Sequence, residues 1–181
     1  QEELSKKMEA ESNKLNFEKA AGYRDKIVAL TQIQSQQNIN LTDIKNTDVI
    51  SISRQGSKSC IQVFIYRSGQ NWGNRSYFPK HSSEVETGEI LERFIVDFYT
   101  KYSPPREVLL NHNLIDESLI ISSLQSIYNY KTKFTVPIKG KKQDIINYAN
   151  RNSEISLKNH IAHKLSDTKN LGSLKDNLGI S

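Results

Sequence analysis

Residues 49–78 constrain this chain more than any other stretch. They read as three consecutive strands, 49–53, 60–67 and 70–78, separated by Gln55-Gly56-Ser57 and Ser68-Gly69. Both separators are short and glycine-bearing, so an antiparallel meander is the expected connection. In the middle strand Ile61, Val63 and Ile65 alternate with Phe64 and Tyr66. A strand that is apolar on both faces is a central one that needs a covering layer on each side.

The rest of the chain supplies those layers. Ile90, Leu91, Phe94, Ile95 and Phe98 form a helical face, preceded by the capping-box spelling Ser83-x-x-Glu86 and ended by Pro104-Pro105. A short strand at 107–110 follows, then a helix over 114–127 whose apolar positions are Leu119, Ile120, Leu124 and Ile127, then a strand at 132–137. From Gln143 the spacing of Ile145, Ala149, Ser153, Leu157, Ile161 and Leu165 predicts a long final helix. A separate amphipathic turn is expected around Leu171, Leu174 and Leu178, stopping at Gly179. The order β-β-β-α-β-α-β-α is mixed α+β/α/β and is that of an RNase H-like fold, with parallel strands extending the meander. Fold order alone does not assign a function.

Residues 1–38 read as a separate helical hairpin. Leu4, Met8 and Leu15 make one apolar stripe; Phe17, Ala20, Ala21, Ile27 and Val28 make another, with Asn16 as a cap between them. Such short helices are marginal alone and call for a partner, or for self-association where none is present. The Gln- and Asn-rich run that follows passes into a linker at 39–46, and 47–181 forms the second domain with its helical tail.

Charge is informative only when divided. Residues 1–40 hold six basic and six acidic side chains, and 41–128 hold nine and ten. Between 129 and 164, Lys131, Lys133, Lys139, Lys141, Lys142, Arg151, Lys158 and Lys164 face only Asp144 and Glu154. That local excess is either a solvated surface or a platform for nucleic-acid phosphates, with Lys139, Lys141, Lys142, Arg151 and Lys158 as its contacts. Trp72 and Arg75 on the third strand add a stacking ring and a cation, unless Trp72 is packed beneath a helix. No apolar run is long enough to cross a bilayer and the charged N-terminus is unlike a signal peptide, so no membrane partner and a cytoplasmic setting are expected. The lone Cys60 lies in a strand pattern and is expected to be buried.

A two-metal nuclease of this fold needs clustered carboxylates on the first strand, the first helix and the end of the fourth strand. The first strand interior is Val49-Ile50-Ser51-Ile52-Ser53, with Asp48 at its entrance, and the fourth strand ends in Leu110-Asn111-His112. Glu89 and Glu92 on the helix lack evident partners. His160 and His163, three apart, lack a third ligand. Lys139-Gly140-Lys141-Lys142 lacks phosphate-loop spacing, and no nucleophile elbow is present. No catalytic residue, metal site or cofactor is therefore expected.

Leu15-Asn-Phe-Glu-Lys-Ala-Ala-Gly-Tyr-Arg-Asp-Lys-Ile27 resembles the UVR motif, the helical hairpin shared by the bacterial excision-repair proteins UvrB and UvrC. Arg75-Ser76-Tyr77-Phe78-Pro79, Pro105-Arg106-Glu107-Val108-Leu109-Leu110 and Val136-Pro137-x-x-Gly140-x-Lys142 are similar to the region that follows it in the UvrC family. The resemblance implies a central, catalytically silent RNase H-like domain that stops just before the Asp-bearing opening of the family's catalytic domain. It implies a hairpin that pairs with that of UvrB through Leu15, Phe17, Ala20, Ala21, Arg24, Asp25 and Ile27. Arg24 and Asp25 are either register-setting rim charges or a solvated pair. It places the chain in DNA repair by nucleotide excision. Two other readings stand beside it: a divergent metal-dependent nuclease using Asp48 with Glu89 or Glu92, and a protein-only scaffold.

Overall fold

Alternation in the middle strand of the meander sets the layering of the larger part of the molecule. The structure is a computed structural model that describes residues 2–38 and 46–178, with side chains placed over 3–27 and 46–164. The chain forms two compact units, Gln1–Asn40 and Leu41–Ser181. The first consists of α1 (Glu2–Asn13) packed along α2 (Phe17–Asn38). The second contains β1 (Asn46–Gln55), β2 (Lys58–Arg67), β3 (Gln70–Tyr77), α3 (Thr87–Lys101), β4 (Glu107–Leu110), α4 (Glu117–Tyr128), β5 (Lys133–Thr135) and α5 (Gly140–Leu178). Most of the expected linker, 39–45, and the stop at Gly179 lie outside the described residues.

The sheet order is β3-β2-β1-β4-β5, with the meander antiparallel and β4 and β5 added in parallel. This is the arrangement the strand and helix order predicted. Ser68 and Gly69 take φ of 52° and 77°, as a two-residue primed turn between right-twisting strands requires. The sheet face carrying Ile50, Ile52, Ile61, Val63, Val108 and Leu110 packs against Leu91, Ile95, Phe98 and Tyr99 of α3 and Ile120 and Leu124 of α4. The opposite face is covered by α5, whose Tyr148 ring meets Phe64 at 5.4 Å between centroids. Each layer buries one stripe of helix against alternate strand residues, and this apolar burial is the main stabilising term.

Four local expectations change. The final helix runs unbroken from Gly140 to Leu178, with no separate turn at 171–178. The capping box does not form: α3 starts at Thr87, and Glu86 at the cap makes no side-chain bond. Arg54 instead donates to the carbonyls of Ser83, at 2.6 Å, and Val85, holding that segment against β1. On α4, Ile120 and Leu124 are buried whereas Leu119 and Ile127 are exposed, because the helix meets its neighbours along one narrow stripe. Finally, β1 begins at Asn46, so Asp48 lies inside the strand and is buried, not at an open entrance.

Cys60 is fully buried, and burial pushes its thiol up to about 11. Folded protein at pH 8 is therefore expected to leave a thiol-reactive disulfide reagent unconsumed, with the single thiol appearing only on addition of denaturant. Rapid reaction under native conditions would show that β2 opens locally.

Candidate functional site

In the first unit the turn between the helices determines what is presented. Leu15 takes φ of 60° while Leu15 N–H donates to Ser12 O at 2.9 Å and Asn16 N–H to Glu11 O at 2.9 Å, the paired bonds of a Schellman ending. Glycine normally fills this position; leucine here accepts a backbone penalty of about 1 kcal/mol. Asn16 accepts the first bond of α2 through its carbonyl, from Ala20 N–H at 3.0 Å, but its side chain donates back to Glu11 at 3.1 Å. Leu15 and Phe17 are 73% and 63% exposed, so two large apolar side chains flank one turn. Ala20 is buried, and Ala21 and Ile27 are half-buried. Arg24 and Asp25 bond each other through Nη2 and Oδ1 at 3.0 Å on the exposed surface, worth well under about 1 kcal/mol.

In the second unit the end of β4 faces β1 and α5 across a neutral polar network. Asn111 occupies the ladder position beyond Leu110: its side-chain amide accepts from Ile52 N–H and donates to Ile52 O, each at 2.9 Å. Its Nδ2 also donates to Asn150 Oδ1 at 2.8 Å, and Ser51 Oγ reaches the same oxygen at 3.3 Å. Ser153 Oγ bonds Ser53 Oγ at 2.6 Å and donates to Asn150 O at 2.8 Å. Amides and hydroxyls thus satisfy one another where β1, β4 and α5 converge. Ser153 lay on the inward stripe that the sequence predicted for the final helix, but Asn150 did not, and the hydrogen-bonding role of each was not legible because it depends on which residues α5 sets against β1.

The carboxylates considered for metal chemistry are each otherwise engaged. Asp48 accepts from Arg67 Nη1 at 2.6 Å and from the Tyr99 hydroxyl at 3.0 Å. Burial outweighs these donors and raises the Asp48 carboxyl above its ordinary value; the Tyr99 hydroxyl is held well above its own by burial and by Asp48. Glu89 pairs with Arg93 one turn on, and Glu92 accepts from the Asp116 backbone N–H. Among the described residues no three His, Cys, Asp or Glu side chains gather as a metal cluster. His160 instead stacks on Phe78, with centroids 3.9 Å apart and planes 12° from parallel.

The basic residues divide between the two faces of the sheet. Lys139 and Lys141, which flank the first residue of α5, and Arg151 and Lys158 along it, are exposed. Lys142 is committed to Glu107, Nζ to Oε1 at 2.6 Å. Arg75, opposite Val63 in register, belongs to the α3 face. Trp72 is the extra residue of a β-bulge between the Ile65–Gly73 and Tyr66–Asn71 pairs, with Gly73 at φ of 152°. A bulge re-aims its side chain, and Trp72 is 73% exposed, not packed beneath a helix. With Arg75, Phe98 and Tyr102 it lines a cleft of about 270 Å³.

Residues 46–160 match the family model described as the UvrC ribonuclease H-like domain, and residues 1–33 match the UvrB/uvrC motif. UvrABC system protein C of Chelativorans sp. (strain BNC1) is 38% identical over 98% of this chain and 27% of its own length. The Bradyrhizobium diazoefficiens protein of that name is 39% identical over 97% of this chain and 25% of its own, and that of Brucella abortus (strain 2308) 38% over 98% and 29%. This chain thus spans about a quarter of the length of these relatives. No helix among the described residues is long and apolar enough to cross a membrane. With a hairpin and a five-stranded mixed sheet that match these two models in turn, the chain belongs to the UvrC family.

Proposed function

We propose that this chain is the non-catalytic central part of a UvrC protein acting in bacterial nucleotide excision repair. It docks on UvrB through its N-terminal hairpin, supports DNA for incision performed elsewhere and needs no cofactor of its own. The observation that carries the docking is the pairing of a UvrB/uvrC motif over residues 1–33 with a turn that exposes Leu15 and Phe17. Large apolar side chains at a hairpin tip serve as anchors when a second hairpin covers them. The non-catalytic reading is supported by the neutral Ser51–Asn111–Asn150 network and by the engagement of Asp48, Glu89 and Glu92. Co-purification tests it: UvrB should be retained by the full chain and lost when residues 1–33 are deleted, and a labelled duplex with Mg²⁺ should stay uncut. Retention after the deletion would remove the hairpin as the docking element; metal-dependent cleavage abolished by Asp48→Asn would replace the proposal with the nuclease reading.

The DNA interaction is sequence-independent and made to phosphates. Neutralising Lys139, Arg151 and Lys158 to Gln is expected to reduce the slope of log affinity against log salt by about one for each phosphate-bound cation removed. Lys142→Gln, which instead breaks an ion pair with Glu107, is expected to leave that slope nearly unchanged. Fluorescence anisotropy on a duplex over a salt series reads both. An unchanged slope for the triple variant would mean that these residues do not touch the phosphates, and no binding at low salt would favour a protein-only scaffold.

A further inference from the structure

A second cationic feature joins the end of the lysine-rich segment to residues outside it. Lys58, at the first position of β2, and Lys80 and His81, in the loop after β3, meet His160 and Lys164 of α5 around a cleft of about 240 Å³. No Asp or Glu stands among the described residues that line it. Two of its walls are built rather than incidental. The His81 ring is held at both nitrogens, Nε2 to Ser59 Oγ at 3.0 Å and Nδ1 to Ser82 O at 2.9 Å. His160 is held by its stack on Phe78, itself 37% exposed at the cleft. Lys58 and Lys80 have no carboxylate partner among the described residues.

We infer that this cleft is a second phosphate-binding site for the nucleic-acid backbone, with Lys58 and Lys80 supplying the charge and the Phe78–His160 stack forming a rigid wall. This rests on the DNA-supporting reading above and extends it to residues that reading does not include. A cleft lined by one sign of charge, with a low-dielectric aromatic wall, concentrates the potential that an oxyanion meets. Lysine beside an exposed ring is also the combination by which single strands are tracked without sequence preference. The distance along the helix fits. From Gly140, beside Lys139, to His160 the helix rises roughly 30 Å at about 1.5 Å per residue, close to one duplex turn of about 34 Å. A duplex lying along α5 would therefore meet Lys139 with one phosphate and the cleft with another about a turn away.

Three variants of the full chain, compared by anisotropy on one labelled duplex across a salt series, test this. Lys58→Gln with Lys80→Gln should weaken binding about tenfold or more near 0.1 M salt and lower the salt slope by about two. Arg93→Gln with Lys101→Gln, an equal charge loss on the α3 face, should leave the slope within error. Lys139→Gln with Lys158→Gln reports the α5 platform separately. If the platform variant flattens the slope while the cleft variant does not, the cleft inference is overturned and the DNA reading stands. If the unmodified chain does not bind duplex at all, both fall. As a second readout that does not depend on variants, NMR resonances of Phe78 and His160 should shift on titration with a short thymidine oligonucleotide; absence of any shift in a chain that binds duplex also overturns the site.

Discussion

Asp48→Ala is expected to destabilise the sheet-bearing unit by about 3 kcal/mol, lowering its thermal midpoint by roughly 10 °C for a unit of this size. Removing the carboxylate leaves Arg67 with only the Tyr66 carbonyl as acceptor and the fully buried Tyr99 hydroxyl without its acceptor. The loss lies at the low end for a broken buried pair because the Arg67 side chain keeps 26% of its surface in water and can be partly rehydrated. Asp48→Asn retains an acceptor for one of the two donors and should cost less than half as much. Urea unfolding, comparing midpoints at constant slope, measures both. A loss below about 1 kcal/mol for the alanine variant would mean that the pair contributes nothing net after desolvation.

The pH dependence of that loss has a definite sign. The folded Asp48 carboxyl is raised, chiefly by burial, above the value of about 3.9 that it has in the unfolded chain. The folded state therefore binds this proton more readily, and the contribution of Asp48 to stability grows as pH falls through the folded value toward the unfolded one. The gap between wild type and Asp48→Ala should widen on mild acidification. A gap that narrows would show that Arg67 dominates over burial and holds the carboxyl low.

The second large effect concerns docking. Phe17→Ala is expected to weaken UvrB binding by about 2 kcal/mol, near 30-fold, while changing hairpin stability by no more than about 0.5 kcal/mol. The separation follows from exposure: a ring that is 63% accessible in the chain alone does little for its own fold and much for a partner that covers it. Leu15→Gly sharpens the test. It relieves the left-handed backbone at φ of 60°, so the hairpin should gain stability while losing an apolar anchor and hence affinity. Titration calorimetry against UvrB, with thermal melts of each variant, reads the two effects apart. Wild-type affinity for both variants would remove the turn from the interface.

Much of the architecture was legible without coordinates. Period-two alternation through Ile61–Tyr66, glycine turns at Gly56 and Gly69, and period-3.6 faces after Ile90 and Ile145 pointed to an antiparallel meander extended by parallel strands and covered on both faces. The ordered small and charged positions from Phe17 to Ile27 carried the hairpin motif. The capping box at Ser83 misled, because Arg54 competes for that segment from another strand. Likewise the apolar count on α4 could not show which of its residues the sheet would leave outside.

By itself, then, the sequence determined which segments are helix or strand, in what order they join, and that residues 49–53 carry no carboxylate. These are properties of periodicity and turn chemistry acting over a few residues. Only the tertiary structure decided that Asp48 pairs with Arg67 and Tyr99, that Asn111 meets Asn150, that Lys142 is spent on Glu107, and that Lys58 and Lys80, from a stretch of near-neutral charge, converge on His160. Those outcomes depend on strand register and helix packing between residues far apart in the chain, where a shift of one position would turn a strand side chain to the opposite face and rotate a helix side chain by about 100°.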